Sequence, residues 1–133
     1  MTAQAAEILD DLSTLKVLVV DDGQDFRMLT GMLIDRDERL TLIGLAGTAL
    51  EMTAYLLRSE PDVVLLDWNM PDLSGHRLVA VARNLAPGAT LLIHTASAIS
   101  EIREAEFVGH GADGVLEKGD SLDLTESILS YFP

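Results

Sequence analysis

Five short apolar runs alternate with segments of helical spacing, and this alternation limits the fold more than any other feature of the chain. The runs are rich in Leu and β-branched residues and are bounded by Gly, Pro or Asp. They predict five strands: KVLVVD (16–21), LTLIGLA (40–46), DVVLLD (62–67), TLLIHT (90–95) and GVLEK (114–118). Parallel strands need crossover helices, and strands that are apolar on both faces must be covered on both sides. The predicted fold class is therefore α/β, a doubly wound five-stranded parallel sheet.

Five helices are predicted between and after these strands. Apolar residues recur at helical spacing at Phe26, Leu29 and Leu33; Leu50, Ala54 and Leu57; Leu78, Ala82 and Leu85; Ile99, Ile102 and Ala105; and Leu124, Ile128 and Tyr131. Residues 1–15 are interpreted as an N-terminal extension, in which Ile8, Leu12 and Leu15 also have helical spacing. This extension is predicted to pack on the domain formed by residues 16–133, and a partner-binding helix is the alternative.

Composition narrows the classes of function. The 133 residues suit one domain, and no apolar run approaches the roughly 18 residues of a membrane-spanning helix. The chain has 22 acidic and 9 basic residues, and its net charge of −13 repels phosphate backbones and anionic lipid. We therefore expect no nucleic acid and no membrane as partners. The chain has no cysteine and no secretory pattern at its N-terminus, so a reducing cytoplasm is the expected location.

Polar residues follow four of the predicted strands at the point where each strand ends. Asp21 and Asp22 follow the first strand, Asp67 ends the third, Thr95 ends the fourth and Lys118 ends the fifth. Ligands of open α/β sheets bind at this edge. Each residue also has a plain structural interpretation, as a helix cap, a strand former or a surface charge.

The acidic residues at this edge favour a cation. Three clustered carboxylates repel one another unless a cation lies among them, and oxygen ligands suit Mg²⁺. A metal ion together with Lys118 would place positive charge beside Asp67, which suits a phosphoryl group attached to or leaving that carboxylate. Asp67 is therefore the candidate nucleophile.

Four segments carry a resemblance to a known family. DDGQDFR (21–27), DWNMPDLSG (67–75), HTAS (94–97) and GADGVLEK (111–118) occur in the order and at the spacing found in receiver domains of two-component response regulators. The resemblance covers residues 16–132, and DWNMP is similar to the chemotaxis-type single-domain receivers. It implies a flavodoxin-like receiver fold with five helices and the sheet order 2-1-3-4-5.

The resemblance also implies roles for individual residues. Asp67 would be the phosphate acceptor, and Mg²⁺ would be held by Asp22, Asp67 and the backbone carbonyl of Asn69, with Asp21 assisting. Thr95 would hydrogen-bond the phosphoryl oxygens. Lys118 would pair with Asp67 before phosphorylation and with the phosphate afterwards.

Two positions depart from the family pattern. Gly119 follows Lys118 where the family usually has proline, and Val115 stands where many members have a switch Tyr or Phe. We expect a trans peptide bond between Lys118 and Gly119, with Gly119 in a backbone conformation that favours glycine. These departures concern the readout of the signal rather than the phosphoacceptor chemistry.

The implied function is that of a phosphoacceptor in two-component phosphorelay signalling. A histidine kinase or histidine phosphotransfer protein would phosphorylate Asp67, and the domain would signal to an unidentified output protein as a monomer or weak dimer. We predict a stand-alone receiver that is not an enzyme beyond its own phosphotransfer and slow autodephosphorylation. The main alternative is a receiver-like interaction scaffold that is not phosphorylated.

Two further alternatives have less support in the residues. A haloacid-dehalogenase-like phosphatase would need a second Asp where Asn69 stands, and a flavodoxin-type FMN protein would need a phosphate-binding loop where DDGQD stands.

The three histidines, His76, His94 and His110, lack metal-ligand spacing and are interpreted as structural or surface residues. Strand alternation predicts that His94 faces away from the site.

Overall fold

A five-stranded parallel sheet forms the centre of the computed structural model, which describes residues 2–5, 14–73, 75–96, 101–119 and 123–133. The strands are β1 (Leu15–Val20), β2 (Leu40–Ala46), β3 (Val63–Leu66), β4 (Thr90–Thr95) and β5 (Gly114–Glu117). They lie in the order β2-β1-β3-β4-β5, and each neighbouring pair is parallel. The predicted fold class and sheet order are confirmed.

Helices connect the strands and cover both faces of the sheet. They are α1 (Gln24–Asp35), α2 (Ala49–Arg58), α3 (His76–Leu85), α4 (Glu101–Gly109) and α5 (Leu124–Leu129). Residues 3–5 are also helical, which adds one segment to the five predicted helices within the described residues. Ile8, Leu12 and Ile99 lie outside the described residues. Nowhere in the described ranges does a helix have the length and apolar character needed to cross a membrane.

Each face of the sheet has its own apolar core, because alternate residues of a strand point to opposite faces. Val17 and Val19 of β1 belong to the core shared with α1 and α5. Leu18 and Val20 belong to the core on the other face, which contains residues of α2 and α3 and Phe107 of α4. All four residues of β3 are buried, which agrees with a central strand covered on both faces.

The helical spacing in α2 does not mark its buried face. Leu50 and Leu57 are 75% and 71% exposed, and Ala54 between them is also exposed. The side chains buried against the sheet are Ala49, Met52 and Leu56. The helix thus carries apolar residues on two sides, and spacing alone does not distinguish the buried stripe from the exposed one.

Strand β2 contains a bulge that explains its irregular sequence. Val17 of β1 pairs with Leu42, whereas Leu18 pairs with Gly44, so Ile43 is the extra residue on β2. Gly44 lies directly against the Tyr55 ring of α2, and a Cβ at this position would overlap the ring. The glycine that interrupts the strand pattern is therefore required by the packing of α2.

We predict that Gly44→Ala lowers the free energy of unfolding by about 1–3 kcal/mol, the usual cost of forcing extra volume into a packed site. Chemical denaturation measures this change. Gly88→Ala is the matched control, because a Cβ there meets nothing within 4 Å. Combining Gly44→Ala with Tyr55→Ala should remove most of the additional loss, and equal losses for Gly44→Ala and Gly88→Ala would contradict this account.

Candidate functional site

The carboxyl ends of the strands bring the predicted site residues together. Asp21 follows β1 and Asp67 follows β3, which are neighbouring strands. The Asp21 backbone N–H donates to the Ala46 carbonyl oxygen at 2.9 Å, and the Asp67 N–H donates to the Val20 carbonyl oxygen at 2.8 Å. The hydrogen bonding of the sheet therefore continues into both aspartates and fixes their backbones at its edge.

Lys118 connects these two aspartates. Its Nζ lies 2.6 Å from Asp21 Oδ2 and 3.4 Å from Asp67 Oδ2. The side chains of Lys118, Asp21 and Asp67 are only 14%, 4% and 12% exposed. The backbone N–H of Lys118 donates to the Thr95 carbonyl oxygen at 2.6 Å, which anchors Lys118 to the end of β4. A largely buried ammonium is costly unless paired, and here two carboxylates pair it.

A third carboxylate, that of Asp22, completes an acidic cluster. One ligand oxygen from each of Asp21, Asp22 and Asp67 lies within 4.8 Å of the others. Asp21 is buried, Asp67 is half-buried and Asp22 is exposed, so the cluster opens to solvent on the Asp22 side. It is the one group of three or more His, Cys, Asp and Glu residues with metal-ligand spacing among the residues that the structure describes. Its all-oxygen donor set fits a hard divalent cation.

Burial raises the pKa of Asp67 above the ordinary value of a carboxyl group. The negative charge of Asp21 and the contact with Asp22 act in the same direction. The Asn69 backbone N–H, which donates to Asp67 Oδ1 at 3.2 Å, and the charge of Lys118 oppose the rise in pKa. A cation among the carboxylates would favour the ionised, nucleophilic form of Asp67.

The remaining predicted residues lie around this cluster. Asn69 is exposed in the loop after β3, and its backbone contacts the Asp67 carboxylate. Thr95 is the last residue of β4 and is half-buried. The Lys118–Gly119 peptide bond is trans as predicted, but Gly119 does not have a positive φ. The prediction of a glycine-specific conformation there is wrong, and the space around Gly119 is open.

Sequence reasoning missed the Phe26 ring beneath Lys118 and the contact of that ring with His94. The Nζ of Lys118 is 4.5 Å from the centroid of the Phe26 ring, and Phe26 contacts His94 with ring centroids 5.5 Å apart. Burial lowers the pKa of His94 to about 4, and the charge of Lys118 acts in the same direction. As strand alternation predicted, His94 points to the opposite face of the sheet from Thr95. That face is the one covered by α1. The signal available in the sequence was that Leu92 and His94 share this face.

The loop after Asp67 is held at two points. The Asp72 carboxylate accepts hydrogen bonds from the backbone N–H groups of Ala49 and Leu50, at 2.8 and 3.0 Å, and so caps the start of α2. The Gly75 N–H donates to the Trp68 carbonyl oxygen at 2.9 Å, and Gly75 has a φ of 67° directly before α3. These contacts define the path of the segment that carries Asn69.

Trp68 packs against aromatic side chains of α3 and α4. Its ring centroid is 4.4 Å from that of Phe107 and 5.0 Å from that of His76. The His76 ring in turn stacks on His110 with centroids 3.5 Å apart. Trp68 and Phe107 therefore serve as packing residues between the loop after β3 and helices α3 and α4.

Comparison with known proteins decides the family. Residues 17–129 match the family model of the response regulator receiver domain. The chain belongs to this family. As a receiver domain it is a phosphoacceptor module of two-component signalling, and the comparisons give no support to the scaffold alternative.

Curated relatives and solved structures agree with this assignment. The protein-glutamate methylesterase/protein-glutamine glutaminase 3 of Burkholderia thailandensis is 32% identical over 120 residues, which cover 88% of this chain and 32% of that protein. The response regulator domain of Thermotoga maritima CheB superposes with a TM-score of 0.77 at 23% identity, covering 88% of this chain and 95% of that one. A LuxR-family response regulator from Aurantimonas has a TM-score of 0.79 at 26% identity, covering 90% and 85%.

One prediction is corrected by these relatives. The chain was predicted not to be an enzyme, and this is wrong, because its relatives are named as protein-glutamate methylesterases and protein-glutamine glutaminases. The chain spans about a third of their length, 32% of the Burkholderia protein and 30% of a Vibrio vulnificus relative. The residues of this chain match the receiver domain, so its sequence does not indicate the activity for which the whole relatives are named.

The buried position of His94 predicts a specific loss of stability in acid. Below its ordinary pKa of 6.5 the unfolded chain takes up a proton at His94, whereas the folded protein does so only near pH 4. The free energy of unfolding should therefore fall by up to about 3 kcal/mol at this residue as the pH decreases from 6.5 to 4, at about 1.4 kcal/mol per pKa unit.

Denaturant unfolding at a series of pH values tests this prediction. His94→Leu should lose less stability than wild type between pH 6.5 and pH 4, because it has no imidazole to protonate. Leu92→Val, on the same face of β4, is the control that changes packing without changing titration. Parallel curves for wild type and His94→Leu would contradict the prediction.

Proposed function

We propose that Asp67 accepts a phosphoryl group from the phosphohistidine of a histidine kinase or histidine phosphotransfer protein. The observation that carries this proposal is the contact of Lys118 Nζ with Asp67 inside a cluster of three carboxylates. A carboxylate oxygen of Asp67 forms a bond to phosphorus while the N–P bond breaks, and the imidazole nitrogen keeps the electron pair. In autodephosphorylation a water oxygen attacks phosphorus, which releases inorganic phosphate and restores the carboxylate.

Mg²⁺ is the proposed cofactor. Asp22, Asp67 and the backbone carbonyl of Asn69 would hold it, with Asp21 assisting, and the closely spaced carboxylate oxygens support this assignment. When bound, the ion would supply positive charge that offsets the carboxylates and the phosphoryl oxygens. The exposure of Asp22 leaves a route to the cluster from solvent.

Lys118 and Thr95 are proposed to bind the phosphoryl group. Lys118 Nζ already lies between two strand ends, and a phosphoryl group on Asp67 would place a doubly charged partner beside it. The Phe26 face beneath the ammonium favours a cation at this position. Thr95 lies at the end of the neighbouring strand, where its hydroxyl would donate a hydrogen bond to a phosphoryl oxygen.

The names of the relatives suggest the output of the signal. We propose that this receiver regulates a catalytic domain of the protein-glutamate methylesterase type through protein contacts. The net charge of −13 supports contacts with protein rather than with nucleic acid or anionic lipid. The division into an extension (1–15) and a receiver domain (16–133), and the cytoplasmic location, remain part of this proposal.

Phosphorylation of Asp67 is tested with acetyl phosphate and Mg²⁺. Intact-protein mass spectrometry should show the addition of one phosphoryl group to wild type and none to Asp67→Asn, because an amide is not a nucleophile here. Asp35→Asn, which changes an exposed aspartate at the end of α1, is the control and should be phosphorylated normally. Failure of wild type to gain phosphate, while another receiver in the same buffer does, would favour the scaffold alternative.

The small side chain of Val115 indicates where the structural response to phosphorylation should be largest. Its short β-branched side chain is half-buried against the core and has one dominant rotamer, so it cannot swing between two positions as a Tyr or Phe ring does. We expect the change to centre on the loop after Thr95 and the start of α4. Amide NMR spectra with and without beryllofluoride in Mg²⁺ should show large shifts at residues 95–104 that fade along 114–131.

The same spectra of Asp67→Asn provide the control, since beryllofluoride should leave this variant unchanged. Equally large shifts across residues 114–131 in wild type would contradict the prediction. Such a result would indicate a two-state element on that face that does not depend on an aromatic ring.

A further inference from the structure

Helix α2 presents a row of apolar side chains to solvent. Leu50, Ala54 and Leu57 are exposed, and the two leucines have the largest exposed fractions among the large hydrophobic residues that the structure describes, 75% and 71%. At about 100° of rotation per residue, the three side chains lie within roughly 60° of one another around the helix. We call these three residues the α2 stripe. It faces away from the sheet, because Met52 and Leu56 occupy the opposite side.

Two charged residues border the α2 stripe along the same side. Glu51 and Arg58 are exposed, and both lie roughly 80–100° around the helix from Leu50. They are seven positions apart, as Leu50 and Leu57 are. The Arg58 guanidinium lies over the Tyr55 ring, 4.9 Å from its centroid, which holds it on this side of the helix. The face therefore has an acid at its start, a base at its end and apolar residues alongside.

We propose that the α2 stripe pairs with the α2 stripe of a second copy of this chain, with the two helices antiparallel about a twofold axis. This symmetry places Leu50 of each copy against Leu57 of the other. Ala54 lies near the axis, where its small side chain lets the helices approach closely. The stripe is thus complementary to itself in shape.

The charges select the antiparallel arrangement. A twofold axis perpendicular to both helices keeps the charged borders on the same side of the pair, so Glu51 of each copy lies beside Arg58 of the other. Parallel helices would place the two charged borders on opposite sides, and neither pair would form. A second copy satisfies both charges by symmetry, whereas another partner would have to match an acid and a base at the same spacing.

The association is expected to be weak. Two leucines and one alanine per copy provide much less area than the roughly 1,600 Å² of a standard interface. Each chain also carries a net charge of −13, and the two copies repel each other at low ionic strength. The dimer should therefore form at high protein concentration and moderate salt, in agreement with the expected monomer or weak dimer.

Sedimentation velocity over a concentration series tests the proposal on the full chain. Wild type should shift from monomer towards dimer as its concentration rises, and Leu50→Ser/Leu57→Ser should need at least about tenfold more protein to reach the same dimer fraction, a change of about 1.4 kcal/mol. Met28→Ser/Met32→Ser, which changes exposed apolar residues of α1, is the control and should associate like wild type. A wild type that stays monomeric, or an α1 variant that alone abolishes association, would overturn the proposal.

Charge exchange tests the predicted pairing directly. Glu51→Arg alone and Arg58→Glu alone should each weaken the dimer, because each places like charges opposite one another. The double variant Glu51→Arg/Arg58→Glu should recover association, and thermal melting checks that each variant is folded. Absence of recovery in a folded double variant would exclude the antiparallel arrangement.

Cross-linking locates the twofold axis. The sequence contains no cysteine, so Ala54→Cys introduces a single thiol. This variant should form a disulfide-linked dimer under mild oxidation, whereas Ala80→Cys, an exposed alanine on α3, should remain monomeric. Equal cross-linking of the two variants would indicate random collision and would contradict a specific α2 interface. None of these tests depends on phosphorylation of Asp67, so they stand apart from the proposed function.

Discussion

The ion pairs of Lys118 with Asp21 and Asp67 are the contacts on which the edge of the sheet depends. Two aspartates at the ends of adjacent parallel strands bring negative charge into a largely buried place, and one ammonium lies between them. With Asp22 included, three carboxylates and one ammonium leave two negative charges if all are ionised. A divalent cation would neutralise that charge, which explains why the same arrangement suits both metal binding and the addition of a phosphoryl group.

The three carboxylates differ because the fold gives each a different depth. Asp21 is the most buried of them and lies closest to Lys118, and its Oδ1 accepts the Gly23 N–H at 2.9 Å, so it serves mainly to hold the ammonium. Asp22 is exposed and leaves the cluster open to solvent. Asp67 lies between these extremes, and burial raises its pKa, which a nearby cation would counteract. Different depths of burial at one sheet edge thus distinguish Asp21, which holds the ammonium, from Asp67, the candidate nucleophile.

The sequence predicted the strands and the strand-end residues because both follow from short-range patterns. Apolar runs that end on polar residues identify β1, β3, β4 and β5, and in a parallel sheet their ends meet at one edge. The buried side of α2 could not be predicted, since Leu50 and Leu57 have the same helical spacing as a buried stripe. The contact of His94 with Phe26 was missed because alternation gives the direction of a side chain but not its neighbours on that face. In both cases the feature that the sequence could not predict was a contact between elements that are distant in the chain.

Asp72 connects the phosphoacceptor loop with α2 and thus with the exposed stripe. The first N–H groups of a helix lack partners within the helix, and the Asp72 carboxylate accepts two of them, from Ala49 and Leu50. These hydrogen bonds lower the pKa of Asp72, so the carboxylate is ionised and held at neutral pH. The loop that positions Asn69 beside Asp67 therefore shares two hydrogen bonds with the turn that carries Leu50. A change at Asp67 that moves this loop therefore moves the first turn of α2 as well. Because such coupling is reciprocal, a partner bound to α2 acts on the loop with the same coupling free energy.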